Sequence, residues 1–120
     1  MNLSNEVKIS QAVTPTAGAA GVTTINGTTL DMSGFEGVLM KVTFGAITVL
    51  AVTSIKVQQG VQSNLSDAAD LLGTGQVIAD TDDDKVFWID VCGPLERYVR
   101  LVVLRATANA VVASAEYFQY

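Results

Sequence analysis

The last third of the chain alternates β-rich runs with tight turns, a pattern that leaves almost no room for a helix. Residues 85–92, KVFWIDVC, are rich in aromatic and β-branched residues, and a Gly-Pro pair ends the run. Residues 97–105 and 111–117 repeat the pattern on either side of a small polar turn at 106–110. Because consecutive short strands bury one face against a second sheet, the sequence predicts a β-sandwich or barrel.

The rest of the chain carries further strand patterns and one segment in which a helix competes. Ser66 is a suitable N-cap for a single helical turn over 67–72, which Gly73 follows. Alternating or wholly apolar runs predict strands at 6–13, 38–44, 53–59 and 75–79. The prediction is an all-β domain spanning residues 1–120, an antiparallel sandwich of about eight strands with at most one short helix.

Two segments between these runs have turn chemistry. Residues 14–21 are rich in Thr, Ala and Gly and contain Pro15, which predicts a flexible loop or arm. The Asn26-Gly27 pair is the strongest two-residue hairpin signal, and it lies between the short arms 22–25 and 28–31. The competing interpretation is one strand with a bulge at Gly27.

Charge is scarce in this chain. Only 16% of the residues are charged, against about a quarter in soluble domains, and the net charge is −5. Either another protein covers part of the surface, or the many Thr, Ser, Gln and Asn residues form a neutral surface. The negative balance argues against direct nucleic-acid binding, and Arg97, Arg100 and Arg105 do not share one strand face.

The residue types of common active sites are missing or isolated. There is no histidine, which removes the usual general base and the usual zinc ligand. Cys92, the single cysteine, lies in an apolar run and is expected to be a small buried side chain rather than a nucleophile. Trp88 lies in the same run and is expected to pack in the core. We therefore expect no enzyme activity and no cofactor.

We expect neither an export signal nor a membrane span in this sequence. The first six residues lack the basic and apolar regions of a signal peptide, and no apolar run approaches the ~20 residues of a membrane helix. We expect a protein that is made in the cytoplasm and has no contact with membranes.

One acidic turn contains the densest group of oxygen ligands in the chain. Asp80, Asp82, Asp83 and Asp84 lie within five residues, and calcium takes several carboxylates together with backbone carbonyls. The spacing does not follow the EF-hand pattern, and aspartates in tight turns also bond their own backbone. A solvated turn without metal is the favoured interpretation, and a calcium site at Asp80, Asp82 and Asp84 is the alternative.

Both ends of the chain carry large apolar side chains. Phe118 and Tyr120 share a strand face by their even spacing, and both would expose apolar area in a monomer. We therefore predict that Met1, Leu3, Tyr117, Phe118 and Tyr120 contact a neighbouring subunit. The alternative is that the last strand lies inside the sandwich and that its rings belong to the core.

From about Asp31 to the end, the sequence resembles the small capsid decoration, or cement, proteins of tailed bacteriophages. The order of several short pieces makes the match, rather than any one of them. These pieces are DMSGFEGV at 31–38, FGA at 44–46, IKVQQ at 55–59, the acidic turn at 80–84, GPLERYVRLVV at 93–103 and TANAV at 107–111. Residues 1–30 lie outside the resemblance, and residues 63–72 have Leu and Ala where an aromatic is common in such proteins.

The resemblance implies a jelly-roll-like sandwich that oligomerises, as a dimer or trimer, on the outside of a capsid. There it would bridge neighbouring major capsid proteins and stabilise the shell of the virion, and the family has no catalytic residues to carry over. Two other functions fit a sandwich of this composition. One is a carbohydrate- or receptor-binding module with calcium in the acidic turn, and the other is a head–tail connector or minor tail subunit.

Overall fold

The computed structural model of the chain describes residues 6–93 and 96–120. No helix in this part of the chain is long and apolar enough to cross a membrane. The described residues form ten strands. They are β1 (Lys8–Val13), β2 (Ile25–Asn26), β3 (Leu30–Asp31), β4 (Gly37–Ile47), β5 (Val52–Gly60), β6 (Ala69–Asp70), β7 (Gln76–Ile78), β8 (Val86–Cys92), β9 (Tyr98–Ala106) and β10 (Ala110–Gln119).

The ten strands form two antiparallel sheets. Sheet A has the order β1-β10-β4-β8, and sheet B has the order β2-β9-β5-β6. In sheet B, β3 also pairs with β9 and β7 also pairs with β5, so each sheet has four strand positions. The chain passes repeatedly from one sheet to the other, which is jelly-roll connectivity. The predicted all-β sandwich of about eight strands is confirmed.

Buried and more exposed residues alternate along the central strands of both sheets, and the buried ones form the core. Every second residue of β4 from Val38 to Phe44 is at most 1% exposed, and Ile55 and Val57 of β5 are fully buried. Lys56 lies on the opposite face of β5 and is partly exposed, as the predicted alternation requires. Burying a side chain of this size contributes about 1.5–3 kcal/mol, so the inward faces of β4 and β5 hold the two sheets together.

The predicted hairpin at Asn26-Gly27 is wrong, and the alternative of a bulged strand describes the fold. β2 and β3 lie in line on β9, and the four residue steps from Asn26 to Leu30 match three steps along β9. The Gly27 N–H donates to the Leu101 carbonyl at 2.7 Å. A Cβ on Gly27 would lie 2.7 Å from both that carbonyl oxygen and the Tyr117 hydroxyl. Glycine is therefore required here by a close approach between strands and not by a two-residue turn.

The predicted helical turn over 67–72 is also wrong, because turns lead directly into β6. The Asp67 carboxylate accepts hydrogen bonds from the N–H groups of Val61 (2.9 Å) and Gln62 (3.2 Å). These bonds hold the pKa of Asp67 below its usual value. The carboxylate thus caps the preceding turn instead of a helix, and pairing with β5 draws the following residues into a strand.

Residues 14–21 form a loop that packs against the sandwich instead of extending as an arm. The Gly18 N–H donates to the Thr14 carbonyl (2.9 Å), and the Val112 N–H of β10 donates to the Gly18 carbonyl (2.8 Å). A Cβ at position 18 would overlap the Val112 carbonyl oxygen, so only glycine allows this approach.

A buried arginine completes the attachment of this loop. Arg105 lies on the inner face of β9 and is 6% exposed. Its guanidinium donates hydrogen bonds of 2.8 Å to the carbonyls of Ala19, Thr23 and Ala110. Burial lowers the pKa of Arg105, and these acceptors offset the cost of removing the charge from water.

Candidate interaction face

The outer face of sheet A points away from sheet B and carries an apolar row across three strands. The register places Ile9 of β1 beside Phe118 of β10, and Phe118 beside Leu39 of β4. Ile9 is 57% exposed, and the other two side chains are partly exposed. Side chains that are opposite each other on neighbouring strands touch across one face of a sheet, so these three form a continuous apolar surface.

The next row of the same face contains charged residues and a tryptophan. It runs across all four strands through Gln11, Glu116, Lys41 and Trp88. Lys41 Nζ lies 3.9 Å from Glu116 Oε1. Among the described residues, the other carboxylate oxygen of Glu116 is shielded from solvent and has no hydrogen-bond partner. The pair places one charge of each sign next to the apolar row, and Asp90 lies opposite Leu39 at the end of that row.

Trp88 lies on this outer face, so the prediction that it packs in the core is wrong. Its side chain is 61% exposed, and Val86 on the same face is also exposed. Phe87 points the other way, and its ring meets the edge of Phe44 with 5.9 Å between the ring centroids. β8 is apolar on both faces, so its sequence does not distinguish them, and its pairing with β4 decides which one is buried.

Tyr117 is a core residue, and the prediction that it contacts a neighbouring subunit is wrong. Its side chain is fully buried. Its hydroxyl accepts a hydrogen bond from the Leu101 N–H (2.9 Å) and donates one to the Thr28 carbonyl (2.8 Å). Burial raises the pKa of Tyr117. The ring thus joins β10 to β9 and to the bulged segment between β2 and β3.

Phe118 and Tyr120 lie on the outer face, although the chain that carries them is part of sheet A. The backbone of Tyr120 exchanges hydrogen bonds with Gly37, at 3.0 and 3.1 Å. Its hydroxyl donates to Asp90 Oδ1 at 2.8 Å, and this bond raises the pKa of Tyr120 to about 12. Contact of these two rings with a neighbouring subunit stays a prediction. Met1 and Leu3 lie outside the described residues.

The acidic turn uses its carboxylates on the backbone. Asp80 Oδ2 accepts a hydrogen bond from the Leu50 N–H (2.8 Å), and Asp82 Oδ2 accepts one from the Ala79 N–H (2.9 Å). The hydrogen bond from the Ala79 N–H, together with Lys85 Nζ at 3.1 Å from Asp82 Oδ1, holds the pKa of Asp82 below its usual value. In the described part of the chain, no three His, Cys, Asp or Glu side chains are grouped so as to hold a metal ion. Asp80 and Asp82, two of the three candidate calcium ligands, thus each use one carboxylate oxygen on a backbone N–H group.

The three arginines of the β9 region are engaged in separate contacts. Arg100 and Arg105 lie on opposite faces of β9, as predicted, and Arg100 donates to Gln58 at 2.8 and 3.0 Å. Arg97 donates two hydrogen bonds, of 3.1 and 3.2 Å, to the Asp31 carboxylate and holds the pKa of Asp31 below its usual value. These guanidinium groups do not form one basic surface.

Cys92 is exposed at the end of β8, so the prediction of a buried thiol is wrong. It lines a surface cavity of about 600 Å³ together with Phe35, Glu36, Glu96 and other residues of the neighbouring loops. The thiol is therefore accessible to reagents in solution.

The chain has little detectable similarity to known proteins. No family model matches it, and no curated protein matches it. A crystal structure of PirA superposes on it with a TM-score of 0.48 at 10% sequence identity, covering 96% of this chain and 94% of that chain. Similarity at this level adds nothing to the assignment of a function.

Sequence reasoning missed most of the exposed apolar face. Four of its residues lie in runs that predict strands, but their side chains were not expected on the outer face; they are Ile9, Leu39, Val86 and Trp88. For Leu39, Val86 and Trp88 the available signal is that their runs are apolar on both faces, although a strand at the surface of a sandwich needs only one apolar face. Ile9 belongs to an alternating run, which lacks this signal.

Proposed function

We propose that this protein is a structural component of a virus particle, which binds the outside of the capsid and bridges neighbouring major capsid proteins. The observation that carries the proposal is the outer face of sheet A, where Ile9, Phe118 and Leu39 form an apolar row and Trp88 lies exposed in the next row. Contiguous apolar patches on soluble proteins mark interaction sites. The resemblance to capsid decoration proteins supplies the viral context.

The composition of this face suits a protein partner. Tryptophan and other aromatic residues are enriched among the side chains that dominate binding energy at protein interfaces. The Lys41–Glu116 pair adds one charge of each sign, and such charges fix the orientation of docking more than they add affinity. The proposal involves no catalytic step, no cofactor, no nucleic acid and no membrane.

The mechanism is stabilisation by mass action. A protein that binds the assembled shell, and not its separated subunits, shifts the equilibrium towards the shell. Each bound copy that bridges two capsid proteins adds its binding free energy to the cost of separating them. The protein acts on the outside of the virion, in many copies and as a homo-oligomer.

The test is heat-induced genome release from particles that have been stripped of the protein. We expect stripped particles to release their genome at a lower temperature and added wild-type protein to restore the original value. Ile9→Asp should bind stripped particles at least about ten-fold more weakly, because it places a charge in the apolar row. Leu72→Ser, at an exposed position after β6 of sheet B, is the matched control and should restore the release temperature. An unchanged release temperature after stripping would contradict the reinforcing role.

A second candidate function is carbohydrate binding, which one observation favours. The exposed ring of Trp88 borders a cavity of about 380 Å³ that is also lined by Gln76, Val86 and Phe87. Glycan-array binding that is lost in Trp88→Ala and unaffected by EDTA would establish this function in place of the capsid role. EDTA should have no effect because Asp80 and Asp82 already bind backbone N–H groups.

A further inference from the structure

We propose that β8 pairs with β8 of a second copy of this chain, so that sheet A continues from one copy to the next across a two-fold axis. The inference does not depend on the proposed capsid function. It rests on the unused hydrogen-bonding groups of β8 and on the side chains that flank them.

The hydrogen-bond pattern shows which backbone groups of β8 are unused. The Phe44 N–H donates to the Lys85 carbonyl (3.0 Å), and the Gly93 N–H donates to the Glu36 carbonyl (2.8 Å). Both bonds lie in the register that pairs β8 with β4. Since residues of an antiparallel strand alternate in the direction of their N–H and C=O groups, the odd-numbered residues bond to β4. The groups of Val86, Trp88, Asp90 and Cys92 point away from the sheet.

This edge is largely unpaired, and each outer edge of sheet A has one outward carbonyl that accepts hydrogen bonds from a neighbouring segment. Among the described residues, one hydrogen bond reaches the outward groups of β8, from Gln76 Nε2 to the Trp88 carbonyl (2.8 Å). On the opposite edge, the Ala12 carbonyl of β1 accepts hydrogen bonds from both the N–H and the hydroxyl of Thr28. An unpaired apolar edge strand of seven residues is a template for pairing with another chain.

A second copy fits this edge in one register. Outward groups must pair with outward groups, so even-numbered residues lie opposite even-numbered residues. Placing Val86 opposite Cys92 of the second copy, and Trp88 opposite Asp90, uses all four outward residues of both copies. A shift of the register by two residues in one direction would bring the two Asp90 carboxylates opposite each other, which is destabilising because like charges repel. Moving it in the other direction would leave Cys92 opposite a residue before the start of β8.

The side chains on both faces suit this register. On the inner face, Phe87 lies opposite Val91 of the second copy, and the two Ile89 side chains meet at the axis. Phe87 and Val91 are only partly buried in one copy, so pairing covers the rest of their apolar area. On the outer face the two Trp88 rings become diagonal neighbours, a distance that aromatic side chains can bridge. Pairing with a second copy thus engages the outward backbone groups of β8 and covers the apolar side chains beside them, which favours a dimer over an unrelated strand.

The geometry also has a consequence for docking. A two-fold axis between antiparallel strands of one continuous sheet is perpendicular to that sheet. Both copies therefore present the outer face of sheet A in the same direction, as two copies bound to one surface require.

A disulfide tests the register directly. In one chain, positions 86 and 92 are six residues apart on β8, or about 20 Å, which is too far for a disulfide. In the dimer, Cys introduced by Val86→Cys lies opposite Cys92 of the second copy. We expect Val86→Cys to form a disulfide-linked dimer under mild oxidation, at least about ten-fold faster than Val77→Cys, because pairing raises the local thiol concentration. Val77 of β7 is 87% exposed and does not lie opposite Cys92 in the proposed dimer.

Two further variants test the register and the open edge separately. Val86→Cys combined with Cys92→Ser should lose the cross-link, because the two introduced thiols lie far apart in this register. Val86→Pro removes an outward N–H at the first position of β8, where proline is tolerated, and should shift sedimentation from dimer towards monomer while the protein stays folded. Cross-linking of Val86→Cys no faster than of Val77→Cys, or equal cross-linking after Cys92→Ser, would overturn the proposal. A wild-type protein that sediments as a monomer at all concentrations would also overturn it.

Discussion

Along β10, single residues alternate between the core and the surface, and the hydroxyl of Tyr117 is the polar group that this alternation buries most deeply. It bonds to Leu101 and to Thr28, which belong to different segments of sheet B. We expect Tyr117→Phe to lower the free energy of unfolding by about 1–3 kcal/mol, since it leaves the buried Leu101 N–H and the partly buried Thr28 carbonyl without this partner. Tyr120→Phe, which removes an exposed hydrogen bond to Asp90, is the control and should cost less than about 1 kcal/mol. Urea unfolding at neutral pH measures both, and equal effects would contradict the core role of Tyr117.

The same residue predicts how stability changes at high pH. Burial raises the pKa of Tyr117 above the 10.0 of an unfolded chain. A group whose pKa is higher in the folded state than in the unfolded state contributes its full stabilisation at pH values below the unfolded-state pKa. This contribution is lost as the pH rises towards the folded-state pKa. The free energy of unfolding should therefore fall above pH 10. In Tyr117→Phe it should fall less steeply, because among the described tyrosines only Tyr120, with its pKa raised to about 12, still has a strongly raised pKa. Urea midpoints between pH 8 and 11.5 provide the measurement, and parallel curves for the two proteins would contradict the prediction.

Among the elements, the loop over residues 14–21 depends on one side chain of β9. Arg105 donates to three carbonyls, two of them in the segment that follows β1. We expect Arg105→Met to lower the free energy of unfolding by about 2–4 kcal/mol, because the buried Ala110 carbonyl and two partly buried carbonyls lose a charged donor. Amide hydrogen exchange in the loop should accelerate. Arg100→Met, which loses only partly exposed bonds to Gln58, is the control and should leave exchange in the loop unchanged. Equal exchange in the two variants would show that the loop is held by other contacts.

The elements that the sequence predicted correctly are those with long or regular patterns. β4, β5, β8, β9 and β10 are runs of seven or more residues, and their apolar or alternating character is sufficient to assign them. β7 lies within the predicted run 75–79, and β2 and β3 overlap the predicted short arms 22–25 and 28–31. β6 has two residues, was not predicted as a strand, and forms because β5 offers it a partner. No local pattern contains that information.

The candidate interaction face was the least predictable part. Phe118 was placed on a shared face with Tyr120 from spacing alone, which is correct, but Tyr117 was assigned to the same interface although its parity is opposite. Trp88 and Cys92 were assigned to the core because their run is apolar throughout. Which face of such a run is buried depends on its register with a strand that is distant in sequence. The spacing of residues within β8 does not reveal that register.

At the scale of the whole molecule, an outer face with an apolar row and a largely unpaired β8 edge occur on the same sheet. The first suits docking on a larger surface, and the second suits pairing of copies in the plane of that surface. A jelly roll with these two features is suited to covering a shell, whereas a connector would need a ring of closed cyclic symmetry.

The most direct measurement is the number of copies of this chain in each purified virus particle, obtained by quantitative mass spectrometry against the major capsid protein. A protein that covers the shell should be present in hundreds of copies, in a fixed ratio to the capsid protein, whereas a connector ring of closed symmetry would contribute about six or twelve. Hundreds of copies that are removed by mild stripping, with the capsid left intact, is the predicted result. About twelve copies or fewer, or absence from the particle, would contradict the central claim.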